Sequence, residues 1–142
     1  MIAVDTQILV YAHRNDCEFH SRAFDVLSEL VNGPNPWSIP WPCVHEFIGI
    51  VTKRGLFSQP STIQDAFLAI GRIQESQGLV FLGEGQNHLE TLQGISQRGK
   101  ISGPMIHDAR IAAICIAHNV ETLYSCDRDF SRFPKLKVKN PL

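Results

Sequence analysis

Apolar runs of two to four residues alternate along this chain with longer stretches whose apolar residues recur at helical spacing, and this alternation restricts the fold more than any other feature. The strand-like runs are Ile2–Val4, Trp37–Ile39, Leu79–Leu82, Leu123–Tyr124 and Leu136–Val138. Helical patterns run through Ile8 to Ala12, from about Glu18 to Val31, from Val44 to Gly55, through Ala66 to Ile73 and from Met105 to His118, with another opening near Asn87. Strands separated in this way by helices cannot form hairpins and pair in parallel, so the pattern predicts an α/β domain with a mostly parallel sheet. The punctuation agrees. Asn32-Gly33-Pro34 stops the second helix, Pro40 and Pro42 stand where the third begins, and Asn119 follows the last. Ser61-Thr62-Ile63-Gln64 reads as a capping box that starts the fourth.

At 142 residues the chain suits one domain spanning 1–142. Its 13 Lys+Arg against 14 Asp+Glu give a net charge of -1, which disfavours holding nucleic acid by bulk positive charge. The 19% charged content is below the roughly 25% usual for soluble domains and points to surface buried in an oligomer or a partner. Met1 to Asp5 has no basic segment, and the longest apolar run, Ile111–Ala117, is far short of the roughly 18 residues a membrane span needs, so a cytoplasmic protein is expected. Cys17, Cys43, Cys115 and Cys126 form no C-x-x-C pair and read as small buried hydrophobes. The histidines lack metal-ligand spacing and read as structural.

Parallel α/β sheets place their sites at the C-terminal ends of the strands. Asp5 follows the first strand directly, Asp127 and Asp129 follow Leu123–Tyr124, Asp108 lies near the start of the helix after Gly103-Pro104, and Glu46 sits in the helix after Trp37–Ile39. Each has an ordinary explanation when taken alone. Asp5 suits a helix cap, Asp108 is favoured by the helix dipole, and Asp127-Arg128-Asp129 fits a charged turn. Glu46, between Val44 and Phe47, costs free energy unless it is paired or bound to a cation. Acids that converge without a lysine among them suit a hard divalent cation such as Mg²⁺ or Mn²⁺, which turns a site that repels phosphodiesters into one that attracts them.

The segments Asp5-Thr6-Gln7-Ile8-Leu9-Val10-Tyr11-Ala12, His45-Glu46-Phe47, Ile106-His107-Asp108-Ala109-Arg110 and Ser125-Cys126-Asp127-Arg128-Asp129-Phe130 together resemble the PIN-domain toxins of the VapC type. The resemblance covers nearly the whole chain and rests on four acids in order, spacing and apolar context. It implies a PIN-like three-layer α/β/α sandwich and a Mg²⁺- or Mn²⁺-dependent endoribonuclease toxin. It also implies a homodimer, a cognate VapB-like antitoxin, and tRNA or rRNA loops as substrate. Asp5, Glu46, Asp108 and Asp127 match the acidic quartet of catalytic and metal-binding residues. Thr6 matches the accompanying hydroxyl, Ser125 replaces the more usual Thr, and Asp129 competes with Asp127 for the fourth place, Asp127 being nearer the strand end.

Arg110, Arg128 and Arg132 are candidate phosphate contacts, although Arg110 is turned about 200° from Asp108 on a helix and suits an ion pair equally. Lys135, Lys137 and Lys139 read as the solvated face of an edge strand. Trp37, Trp41 and Phe57 are loop aromatics that either stack on bases, line an antitoxin groove or pack into the core. The helices from Glu18 and from Ser61 are candidate antitoxin surfaces. A receiver-type phosphoacceptor domain is disfavoured because Val4-Asp5-Thr6 offers one acid and no suitable lysine follows, and a His-Asp phosphohydrolase lacks its further ligands. A PIN-like module that binds RNA or protein without cutting is the alternative from outside enzymology.

Overall fold

The computed structural model describes residues 1–142. Its strands are β1 (Ile2–Val4), β2 (Trp37–Pro40), β3 (Leu79–Leu82), β4 (Thr122–Tyr124) and β5 (Val138–Lys139), joined in one sheet in the order β3-β2-β1-β4-β5. Every pairing is parallel. The helices are α1 (Thr6–His13), α2 (His20–Asn32), α3 (Trp41–Val51), α4 (Ile63–Gln74), α5 (His88–Gly99) and α6 (Ile106–Ala117), with short 3₁₀ turns at Gly103–Met105 and Arg128–Arg132.

From β1 the chain winds outward to β3, then crosses back past β1 to β4 and β5. Because crossovers between parallel strands are right-handed, the reversal puts α1–α4 on one face of the sheet and α5–α6 on the other, giving three layers. Within the layers, α1 packs on α2 and α3, α3 on α4, and α5 on α6. The direction of winding changes between β1 and β4, so a crevice opens beyond their C-terminal ends, where α/β folds bind ligands.

The core is continuous through the sheet. Val4, Ile39 and Leu123 from the strands are wholly buried, as are Phe47 of α3, Ile111 and Ile114 of α6, and Phe130 and Phe133 after β4. Trp37 is buried too and donates its indole N–H to Ser76 Oγ at 3.2 Å, so the expectation that it stands in a loop is corrected.

Several expected boundaries shift. α3 ends at Val51, not Gly55, because Thr52 turns its hydroxyl back onto the Ile48 carbonyl at 2.7 Å and the chain then reaches Gly55 with a φ of 84°. The cap of α4 is Thr62, whose Oγ1 accepts the Asp65 N–H at 3.0 Å, one residue beyond the expected Ser61. Leu136 is buried and its N–H serves a turn to Phe133, so β5 begins later than the apolar pattern suggests. Asn119 ends the last helix as expected. At φ 54° it lets its own N–H reach Ile116 O at 3.1 Å and the Val120 N–H reach Cys115 O at 2.9 Å, the paired bonds of a Schellman stop.

Candidate active site

The crevice beyond β1 and β4 is lined with acids. Asp5 leaves β1 with its backbone N–H on Tyr124 O at 3.0 Å, which ties the end of β1 to β4. Its side chain caps α1, Oδ1 accepting the Thr6 N–H at 2.8 Å. At 4% exposure it is a buried carboxylate, and its remaining oxygen accepts from Ser125 Oγ at 2.6 Å. The thiol of Cys43, which burial pushes well above its usual pKa and so keeps neutral, points its Sγ at Asp5 Oδ1 from 3.7 Å.

Ser125, the first residue after β4, makes a second contact: its Oγ accepts the Asp127 N–H at 3.0 Å. Asp127 in turn caps the 3₁₀ turn, Oδ1 accepting the Asp129 N–H at 2.8 Å. Both acids of this segment therefore face the crevice. Asp108 enters it from the first turn of α6, and one carboxylate oxygen from each of Asp108, Asp127 and Asp129 lies within 4.8 Å of the others. Glu46 comes from α3, held by the buried Thr6, whose Oγ1 donates to Oε2 at 2.7 Å.

The electrostatics report the same convergence. Burial is the main cause that raises the Asp5 carboxyl above the ordinary range; the Ser125 and Thr6 bonds oppose the rise, and the charges of Glu46 and Asp127 add to it. Asp108 is pushed up to about 6, first by burial and then by Asp127, Asp5, Asp129 and Glu46. No Lys or Arg relieves the repulsion, since the ion pairs of the chain are Met1–Glu121, Arg14–Asp16 and Arg110–Glu84. Carboxylate oxygens gathered this closely without a partner are a donor set for a hard divalent cation.

Of the acids read from the sequence, Asp108, Asp127 and Asp129 lie in one cluster, and Asp5 and Glu46 are near enough to act on Asp108 through their charge. Arg110 is turned aside to Glu84. Arg132 donates to the Gly99 carbonyl at 3.5 Å, whereas Arg128 lines a depression of about 700 Å³ next to Asp127. Sequence reasoning missed Cys43 as a neighbour of Asp5, and no local pattern signals a contact across 38 positions.

Residues 2–136 match the PIN domain family. The chain belongs to that family. Among PIN-domain proteins it is similar to ribonuclease VapC43 of Mycobacterium tuberculosis, 33% identical over 142 residues that span 100% of this chain and 96% of that protein. This places it with the VapC proteins. The fold matches VapC20 of Mycobacterium tuberculosis, a sarcin-ricin loop cleaving toxin, with a TM-score of 0.69 at 17% identity over 92% of this chain and 93% of that one. It also matches VapBC2 from Rickettsia felis, solved bound to a DNA fragment from its promoter, with a TM-score of 0.67 at 21% identity and 98% coverage of both chains. No helix of this PIN-domain protein is long and apolar enough to cross a membrane.

Proposed function

We propose that the chain is the toxin of a toxin-antitoxin pair, a Mg²⁺- or Mn²⁺-dependent endoribonuclease neutralised by a VapB-like antitoxin. The supporting observation is the gathering of Asp108, Asp127 and Asp129 within 4.8 Å of one another, in the field of Asp5 and Glu46 and with no basic partner. The likeness to ribonuclease VapC43 across the whole chain supports the same reading.

Asp5, Asp108 and Asp127 would hold a divalent ion, with Asp129 in reach. Such an ion supplies charge neutralisation at the phosphate and a more acidic water. Glu46 keeps Oε1 free while Thr6 occupies Oε2, so it is placed to orient a water and accept its proton, or to hold a second ion. In-line attack on a phosphodiester of single-stranded or looped RNA breaks the P–O3′ bond, leaving a 5′-phosphate and a 3′-hydroxyl. Ser125 and Thr6 fix the orientations of Asp5 and Glu46. The proposal includes a homodimer, in keeping with the low charged content of 19%.

The test is incubation of the purified chain with total RNA in Mg²⁺ or Mn²⁺, with and without chelator, followed by mapping of new 5′ ends. Discrete cuts lost on chelation, and lost when the VapB-like antitoxin is added, are expected. RNA that is bound but left whole with either ion would indicate a binding module instead.

A further inference from the structure

Trp41 opens α3 at the C-terminal end of β2, and its indole lies on the ring of Phe81 from β3, centroids 4.5 Å apart and planes 21° from parallel. The ring of His45, one turn further along α3, lies 6.1 Å from the indole at 27°. Trp41 and His45 lie outside the core, and Phe81 is half-buried against it. Trp41 is 41% exposed and His45 is exposed, whereas Trp37 is at 0%. An exposed tier of near-parallel rings presents what a planar nucleobase stacks on, whatever its sequence.

Its position joins it to the acids. β2 is the neighbour of β1 and β3 the next strand out, so at about 4.8 Å per strand the tier stands roughly 5–10 Å to the side of Asp5, along the same C-terminal sheet edge. His45 immediately precedes Glu46, so one helix carries both the tier and an acid of the site. Charge gives a second argument. The chain is at -1, the crevice is acidic, and Arg110 is committed to Glu84. Side chains here offer the strand little positive charge beyond Arg128, so contacts that charge does not control add to what a bound divalent ion supplies.

We infer that the Trp41–His45–Phe81 tier is a base-stacking platform, on which a nucleobase flanking the cleaved phosphate packs against Trp41. This rests on the ribonuclease reading and adds where the strand is held. Because Trp37 is buried, tryptophan emission reports RNA contact at Trp41 alone.

The experiment titrates the full chain carrying Asp108→Asn, chosen so that the RNA is left uncut, with a mixed-sequence single-stranded RNA in Mg²⁺. RNA should quench the emission, and the quenching should vanish in a Trp41→Phe background. Affinity should fall in the order Trp, Phe, Ala, with Trp41→Ala weaker by about 10-fold or more. In the active chain Trp41→Ala should raise KM by a similar factor with kcat within about twofold. Melting curves confirm that each variant is folded, and Trp41→Phe keeps the comparison open if Trp41→Ala is not. Unquenched emission, or equal KM in Trp41→Ala, overturns the platform and leaves the nuclease standing. RNA that quenches Trp41 but stays uncut by the active chain removes the nuclease and leaves the platform. A change in oligomer size in Trp41→Ala with RNA affinity unaltered makes the patch a protein interface and ends the inference.

Discussion

Ser125 ties Asp5 to Asp127: its Oγ donates to Asp5 Oδ2 at 2.6 Å and accepts the Asp127 N–H at 3.0 Å. One hydroxyl thus sets the spacing between an acid of β1 and an acid beyond β4, and it opposes the rise in the Asp5 pKa that burial causes.

Ser125→Ala leaves a buried carboxylate oxygen and a backbone N–H without this partner, which costs about 1–3 kcal/mol of stability. The Asp5 carboxyl should rise further, so the acid limb of the cleavage profile should move to higher pH. Ser125→Thr keeps the hydroxyl and should restore both. Chemical denaturation and cleavage rates against pH check this, and an unchanged profile in the alanine variant would show that the bridge does not orient Asp5.

Thr6→Val removes the donor to Glu46 at nearly constant volume. Positioned proton-transfer groups contribute about 10²–10⁴-fold, so a misaligned Glu46 should lose roughly 10- to 100-fold in kcat with little change in metal affinity. Thr6→Ser should recover most of it. Single-turnover cleavage and metal titration separate the two quantities, and a matching fall in metal affinity would instead put Glu46 on an ion.

The architecture was readable because strand and helix periods are local: Ile2–Val4, Trp37–Ile39 and Leu79–Leu82 each mark a real strand, and Asn119 its helix stop. The four acids were readable for a related reason, since the ends of parallel strands are where a chain of this class places its chemistry. What depends on distant partners was not. Trp37 and Trp41 both flank the same prolines, yet one is sealed under Ser76 and the other lies open on Phe81, a difference set by neighbours some 40 residues away. Arg110 met Glu84, and Cys43 met Asp5, by the same kind of encounter. Asp129 stays exposed yet lies beside Asp108 and Asp127, its N–H capped by Asp127, a bond that spacing alone does not reveal.

That cap also makes the two acids separable. Asn at 127 keeps an oxygen for the Asp129 N–H while removing the charge that, after burial, most raises Asp108. Asp127→Asn should therefore weaken Mn²⁺ binding more than Asp129→Asn, by about tenfold or more, both folds remaining intact. Calorimetric titration of the two variants checks the order, and the reverse ranking would make Asp129 the principal ligand.

Asp108 gives the pH dependence. Its folded pKa of about 6 lies above its ordinary 3.8, so its ionisation opposes folding. The stability linked to this group is fully present below about 4 and is lost as pH rises through about 6. Metal-free protein should accordingly lose melting temperature across that window, and Asp108→Asn should flatten the slope and melt higher at pH 7. A bound divalent cation favours the ionised form, so adding Mn²⁺ should stabilise the wild type increasingly as pH climbs from 5 to 7, while leaving Asp108→Asn nearly unmoved. Cleavage should fade over the same window on acidification, because protons and metal compete for one carboxylate. Melting curves at several pH values with and without Mn²⁺ decide it: a metal-induced rise that is equal in the wild type and in Asp108→Asn would place the ion elsewhere.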